Sequence, residues 1–157
     1  MINLEDKIIK LIKENINSSI KIIHRGNPDN LNASMLPLVY VSGDDTEGKA
    51  GPTQMDDLTH TFTIGIILDR RSGIGGVLNE NVSHRQIREL AEGKNSNGTY
   101  RDDSVIGILR KNFTLENSAY NQIFTIRYRL RLSKDLITEE ARITARISEL
   151  VSVPQRT

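Results

Sequence analysis

Apolar and polar residues alternate with period two along residues 123–133. Successive side chains of a β-strand point to opposite faces, so this pattern predicts a strand with one apolar and one polar face. The apolar face carries Phe124, Ile126, Tyr128, Leu130 and Leu132, and the polar face carries Ile123, Thr125, Arg127, Arg129, Arg131 and Ser133. A shift of one residue would bury three arginines, so the register of this strand is strongly specified.

The remaining elements follow from apolar spacing and from glycine, proline and capping residues. Three further strands are predicted at residues 20–24, 36–41 and 58–69, the last two as an antiparallel hairpin, with Pro37 at a strand start or on an edge. Four helices are predicted: residues 3–16 with Asn3 as N-cap, residues 77–93, a short helix from Asp102 or Asp103 to residue 112, and a closing helix over residues 138–151 capped by Thr138.

Segregated strands and helices predict an α+β fold, a mostly antiparallel sheet of about four strands with helices packed on one face. Residues 1–152 are expected to form a single domain, and residues 153–157 a loose C-terminal tail. Within the domain, the polar segment 43–57 contains three glycines and a proline and is predicted to be a long acidic loop.

Charge is distributed unevenly along a chain whose formal net charge is +1. The predicted loop carries five acids against Lys49, a local net of −4: Asp44, Asp45, Glu47, Asp56 and Asp57. Residues 121–157 carry seven Arg or Lys against four acids, a local net of +3. Near-neutrality excludes a general nucleic-acid coat protein, whereas opposed patches favour head-to-tail contacts between copies.

Composition removes several classes of chemistry. The chain has no cysteine, which excludes disulfides and thiolate sites and suits a reducing compartment. The first residues are acidic where a signal peptide would be basic, and no apolar run approaches the roughly 20 residues needed to span a membrane. Aromatic residues make up 4% of the chain, so the predicted core is aliphatic.

The strongest enzymatic alternative is a metal-dependent nuclease that uses Asp69, Glu92 and Lys94. Asp69 ends a predicted strand, and Glu92-Gly93-Lys94 is an acid-x-lysine pair of the kind that binds Mg²⁺ and water in many nucleases. That chemistry needs the acid and the lysine on one strand, whereas Glu92 falls at a predicted helix end. None of the three histidines has metal-site or triad spacing, and His60 is expected at the surface.

Two interpretations of the arginine strand stay open. The arginines form a solvated or cross-strand-paired surface, next to Thr59, Thr61 and Thr63 of a neighbouring strand, or they meet another subunit or line a channel. In the second case the acids of segment 43–57 on the next copy are the predicted partners, because arginine pairs bidentately with carboxylates.

The order of elements resembles a known family. The predicted elements are, in order, an N-terminal helix, a strand with Leu-Pro-Leu-Val-Tyr-Val, a polar segment, a strand with His-Thr-Phe-Thr-Ile-Gly-Ile-Ile-Leu-Asp, a glycine-bearing connection, a helix pair and a strand with Phe-Thr-Ile-Arg-Tyr-Arg-Leu. This layout is similar to that of the lambda-type tail terminator, or tail-completion, proteins of long-tailed bacteriophages. The resemblance covers residues 3–133 and contains no signature motif.

The resemblance implies a virion structural protein with neither catalysis nor cofactor. Such proteins form a hexameric ring that caps the tail tube, stops its polymerisation and contacts the neck of the head, while genomic DNA passes through the lumen. The implied location is the virion tail or neck, after assembly in the host cytoplasm and without a membrane. A neck or head-completion protein and a tail-tube subunit are the close alternatives, and a monomeric host binding module is a more distant one.

Overall fold

The computed structural model describes residues 1–51, 54–70, 80–115, 117–133 and 136–154. Its elements, in chain order, are α1 (Ile2–Asn15), β1 (Ile22–Arg25), a 3₁₀ turn (Ala33–Met35), β2 (Leu38–Ala50), β3 (Met55–Asp69), α2 (Glu80–Glu92), α3 (Val105–Lys111), β4 (Asn121–Ser133) and β5 (Leu136–Ser152).

All five described strands belong to one sheet in the order β1-β2-β3-β5-β4. β1 runs parallel to β2, and the other three pairs are antiparallel, including the predicted β2–β3 hairpin. The predicted α+β class, with a mostly antiparallel sheet in a single domain, is therefore confirmed, although the sheet has five strands where about four were expected.

The main core lies between one face of this sheet and the three described helices. Helical spacing places Leu4, Ile8 and Ile12 of α1 on one side, where they belong to the same buried cluster as Val39 and Val41 of β2. Phe124, Ile126 and Tyr128 of β4 border the same core. Leu130 and Leu132 follow the same alternation but are exposed, so the predicted apolar face of β4 is covered for part of its length.

The closing helix predicted over residues 138–151 is wrong, because this segment forms most of β5. β5 lies between β3 and β4 and pairs with both along nearly its whole length. Ala141, Ile143, Ala145 and Ile147 alternate with polar residues and pack into the main core. Tertiary packing therefore overrides the helix-forming composition of the segment.

The long acidic loop predicted at residues 43–57 is also wrong. β2 continues to Ala50 and β3 begins at Met55, with a register shift between Gly43 and Asp45. Together with the last part of β5, they form a three-stranded extension of the sheet, here called the arm: residues 43–50, 55–61 and 146–152. Residues 44–50 are all exposed, which explains why the strand lacks an apolar alternation.

A smaller apolar cluster lies on the opposite face, at the inner end of the sheet. It contains Leu36, Leu38, Tyr40, Ile67 and Leu136, with Leu31 and Met35 of the β1–β2 connection packed over it. The Tyr40 ring crosses Gly65 of β3 so closely that a Cβ at Gly65 would lie 2.0 Å from the ring. Glycine at position 65 therefore lets the tyrosine reach across the sheet.

Several local predictions need correction. α1 begins after Met1 rather than after an Asn3 cap, and Ser104, not Asp102 or Asp103, caps α3 by accepting a hydrogen bond from the Gly107 amide. The glycine-bearing connection and the predicted start of α2 fall at residues 71–79, outside the described residues.

At the other end, Val153 donates to the Gln54 carbonyl, so the tail contacts the arm before residues 155–157, which lie outside the description. Pro37 directly precedes β2, as predicted. None of the helices in the described ranges is long and apolar enough to cross a membrane.

Candidate functional site

The sheet face opposite the helices carries the arginines predicted on β4. Opposed residues of antiparallel strands share a face, so Arg127, Arg129 and Arg131 lie on the same side as Arg142 and Arg146 of β5. This surface is called the arginine face. Sequence reasoning missed Arg142 and Arg146 because it assigned their segment to a helix.

The threonines of β3 belong to the same face but do not adjoin the arginine strand. Thr59, Thr61 and Thr63 pair with β5, which separates β3 from β4. The prediction of direct neighbours is therefore wrong, whereas the prediction that these threonines and the arginines share one polar face holds. A groove of about 440 Å³ on this face is lined by Thr125, Arg127, Arg129, Arg142 and Thr144, together with Tyr128.

A buried carboxylate organises the inner end of the arginine face. Glu140 of β5 has no exposed surface, and its Oε1 accepts a hydrogen bond from the Tyr40 hydroxyl at 2.7 Å. The Arg142 Nη2 lies 3.2 Å from the same oxygen, and the Arg129 Nη2 lies 3.2 Å from Oε2. Two arginines and one tyrosine therefore satisfy a single carboxylate.

These contacts shift two pKa values in opposite directions. Burial alone would raise the pKa of the Glu140 carboxyl, but the Tyr40 hydrogen bond and the charges of Arg129 and Arg142 outweigh it, and the pKa lies below its ordinary value. Burial, followed by the hydrogen bond to Glu140, raises the pKa of Tyr40 to about 12. Both shifts favour an ionised Glu140 and a neutral Tyr40.

The other arginines have weaker partners. Arg131 donates to the Asn27 side chain at 3.3 Å, and Arg146 lies 3.7 Å from Glu47 across the arm. Arg127 sits directly opposite Arg142 and is exposed, and within the described ranges it has neither a hydrogen bond nor an ion pair. Like charges directly opposed on a sheet repel. Among the described arginines of this face, Arg127 therefore has the fewest partners.

The acids predicted to pair with these arginines lie along the arm. Asp45 and Glu47 point to the arginine face, since they are opposed to Thr61 and Thr59. Asp44 accepts hydrogen bonds from Ser42 and Thr63, and Asp57 accepts one from the Tyr120 hydroxyl at 2.6 Å. Asp56 points to the opposite face, because its position alternates with that of Asp57.

The nuclease candidates are not brought together. Glu92 accepts a hydrogen bond from Tyr128 at 2.5 Å, on the helix side of the sheet, and Lys94 lies over the Tyr100 ring. Asp69 follows the alternation of Thr63 and Gly65, which places it on the arginine face instead. Across the described part of the chain, no group of three or more His, Asp or Glu side chains could hold a metal ion.

His60 is buried rather than exposed, contrary to prediction. Its Nδ1 lies 2.7 Å from the Thr46 hydroxyl and its Nε2 lies 2.7 Å from Glu149 Oε1, so one side chain from each strand of the arm joins a single hydrogen-bonded row. This row stabilises the base of the arm. Its sequence signal was hidden, because Thr46 and Glu149 were assigned to a loop and a helix.

A second polar group joins α2 to the sheet on the helix side. The Arg88 guanidinium lies 4.2 Å from the centre of the Tyr128 ring, and burial followed by the Glu92 hydrogen bond raises the pKa of Tyr128. Nearby, Ser83 donates to the buried Glu139 at 3.0 Å, and Arg70 lies 3.4 Å from the same carboxylate. These contacts fasten α2 to β4 and β5.

No model of a known protein family matches this sequence. No curated protein matches it significantly either.

Proposed function

We propose that this protein is a structural subunit of a phage virion, the tail terminator, whose copies form a ring that caps the tail tube. The single observation that carries the proposal is that opposite charges lie at opposite edges of the sheet. One edge of its open face presents arginines, and the arm at the other edge presents exposed carboxylates. The layout resemblance to tail terminators supplies the specific identity.

Opposed charges at the two edges favour contacts between different surfaces of neighbouring copies. Two identical arginine edges would repel each other, and so would two acidic arms. A contact between unlike surfaces repeats from copy to copy, and it closes into a ring when the rotation allows. This geometry supports a cyclic assembly better than a two-fold dimer.

In the proposed assembly, the ring contacts the last layer of tail-tube protein on one side and the neck or head-completion protein on the other. Genomic DNA passes through the lumen without sequence-specific binding. The proposed location is the tail–neck region of the virion, after assembly in the host cytoplasm. The role needs no cofactor, and no grouping of described side chains favours the nuclease alternative.

The test is a tube-growth assay with the tail-tube protein of the same virion. The terminator should bind tube ends, stop elongation and narrow the length distribution seen by electron microscopy, and native mass spectrometry should detect a ring of about six copies. Incorporation along the tube would identify a tube subunit, and binding to heads but not to tubes would identify a neck protein. Either result would overturn the proposal.

A further inference from the structure

Two strands of the sheet have long edges with which no described segment pairs. β4 is the last strand of the sheet, and no described segment pairs with its outer edge along Asn121–Ser133. β1 covers β2 from Leu38 to Val41, so the arm part of β2 lacks a described neighbour on its outer side. Long open edges expose backbone donors and acceptors that favour pairing with another strand.

The two edges carry opposite charges with the same period. Arg127, Arg129 and Arg131 stand at alternate positions of β4, and Asp45 and Glu47 stand at alternate positions of β2. All five lie on the arginine face, because Asp45 is opposed to Thr61, Thr61 to Arg146, and Arg146 to Ile123. In a ring, every copy presents this face to the same side. Because Asp45 is level with Ile123 within the sheet, a stagger of four or more residues along the strands would bring the carboxylates of one copy against Arg127, Arg129 and Arg131 of the next.

We infer that the outer edge of β4 pairs with the arm edge of β2 in the next copy, so that the sheet continues from subunit to subunit. Asp45 and Glu47 of one copy then lie across the boundary from arginines of its neighbour. The inference rests on the proposed ring and names the contact that builds it.

The charges along the two edges favour the β2 edge of the next copy, rather than a second β4 edge, as the partner of β4. Arg129 already contacts Glu140, but Arg127 is unpaired among the described residues and Asp45 likewise has no described hydrogen bond or ion pair. Glu47 and Arg146 are exposed and 3.7 Å apart, so that pair can exchange partners at little cost. Backbone pairing would supply the attraction, and the charges would set its direction.

Charge reversal tests the direction of the contact. Arg127→Glu or Asp45→Arg alone should weaken association by roughly 100-fold, because like charges would face each other across the boundary. The chain that carries both changes should recover association, since each edge then meets its complement again. Arg85→Glu, the same charge change on exposed α2, is the matched control and should leave association unchanged.

Disulfide trapping tests the geometry, since the natural chain has no cysteine. Directly opposed residues have Cα atoms about 4.5–5.5 Å apart, a separation that a disulfide spans. Asp45→Cys is combined with Thr125→Cys, Arg127→Cys or Arg131→Cys, so that the three variants sample the register. At least one should give a covalent ladder of copies on oxidation, whereas Asp56→Cys with Arg127→Cys should not, because Asp56 points to the other face of an inner strand.

Oxidation is carried out both on the concentrated protein and on protein bound at tube ends. A ladder from one of the three variants, absent from the control, supports edge pairing. If none of the three gives a ladder in either setting, edge pairing is overturned whatever the tube assay shows. A protein that caps tubes as a non-covalent ring without cross-linking would retain the proposed function and lose this contact.

Discussion

Two carboxylates on the arginine face, Glu140 at the inner end of the sheet and Glu47 on the arm, meet arginines in different ways. The Glu140 side chain is 0% exposed and binds Arg129, Arg142 and Tyr40. The Glu47 side chain is 76% exposed, and its one partner among the described residues is Arg146, at 3.7 Å. Burial strengthens the first set of contacts and makes their loss costly. Water and salt weaken the second.

The difference separates charges that stabilise the fold of one chain from exposed charges that remain available for the proposed contact with another copy. Arg129 and Arg142 are committed to a buried partner in their own chain, although sequence alone grouped Arg129 with Arg127 and Arg131. The inner end of the sheet should therefore respond to mutation as a core does, and the arm as an exposed surface does.

Glu140→Ala should have the largest effect on stability. It leaves the Tyr40 hydroxyl without its acceptor and removes the charge that separates Arg129 from Arg142. Both arginines keep some exposure to water, so we expect a loss of about 3 kcal/mol in the free energy of unfolding, measured by urea denaturation. Glu47→Ala is the matched change on the arm and should cost less than about 0.5 kcal/mol. Equal losses for the two variants would contradict the comparison.

The same carboxylate predicts an acid dependence. The folded pKa of Glu140 lies below its unfolded value, so its stabilisation is complete above the ordinary carboxyl pKa and declines as the pH falls through the lower folded pKa. Glu140→Gln should be less stable than the natural chain at neutral pH, and the gap should narrow toward low pH. A gap that stays constant with pH would show that ionisation of Glu140 does not contribute.

Gly65→Ala should have the next largest effect. A Cβ at this position would lie 2.0 Å from the buried Tyr40 ring, so the ring must move and its hydrogen bond to Glu140 is strained. Overpacking of this kind costs about 2 kcal/mol. Gly48→Ala on the arm is the matched control, because its Cβ would meet the flexible end of Leu58 alone. Similar urea denaturation midpoints for Gly65→Ala and the natural chain would show that the Tyr40 ring shifts at little cost.

Sequence reasoning succeeded where one face of a strand is buried and failed where composition and packing disagree. β4 was predicted because Phe124, Ile126 and Tyr128 alternate with polar residues against the core. β5 was missed because its Glu, Ala, Arg and Leu residues favour helices, and the alternation of Ala141, Ile143 and Ala145 is weak where every second residue is small. Long-range pairing with β3 and β4 decides its conformation.

The arginine face was likewise predicted only in part. Arg127, Arg129 and Arg131 were placed on one polar face, which the register confirms. Glu140, Arg142 and Arg146 could not be assigned to that face until β5 was known to be a strand. Within the arm, the sequence of residues 43–57 predicts a loop, because residues 44–50 are exposed and polar and so lack the apolar alternation that identifies a strand, while the glycines of the segment suggest turns.

Of the changes at Glu140, Gly65 and Tyr40, Tyr40→Phe should lower the free energy of unfolding the least. Its effect on the pH dependence of stability distinguishes it from the others. The substitution keeps the ring over Gly65 but removes the hydrogen bond to Glu140, at a cost of about 1.5 kcal/mol. In the natural chain, the unfolded tyrosine ionises near its ordinary pKa of 10.0, whereas folded Tyr40 holds its proton until about 12. Between these values unfolding releases a proton, so rising pH destabilises the fold.

Tyr40→Phe removes this contribution, and its stability should fall less steeply than that of the natural chain between pH 10 and about 12, as followed by urea denaturation at fixed pH. Tyr120→Phe is the control at the arm. The pKa of exposed Tyr120 is also raised, first by its hydrogen bond to Asp57, so its loss should flatten the pH dependence less than the loss of buried Tyr40. Tyr128 also has a raised pKa and titrates equally in both variants, so it cancels when they are compared. If the two phenylalanine variants lose stability in parallel as the pH rises, the buried hydrogen bond at the inner end differs little from the exposed one on the arm, and the distinction between the two regions fails.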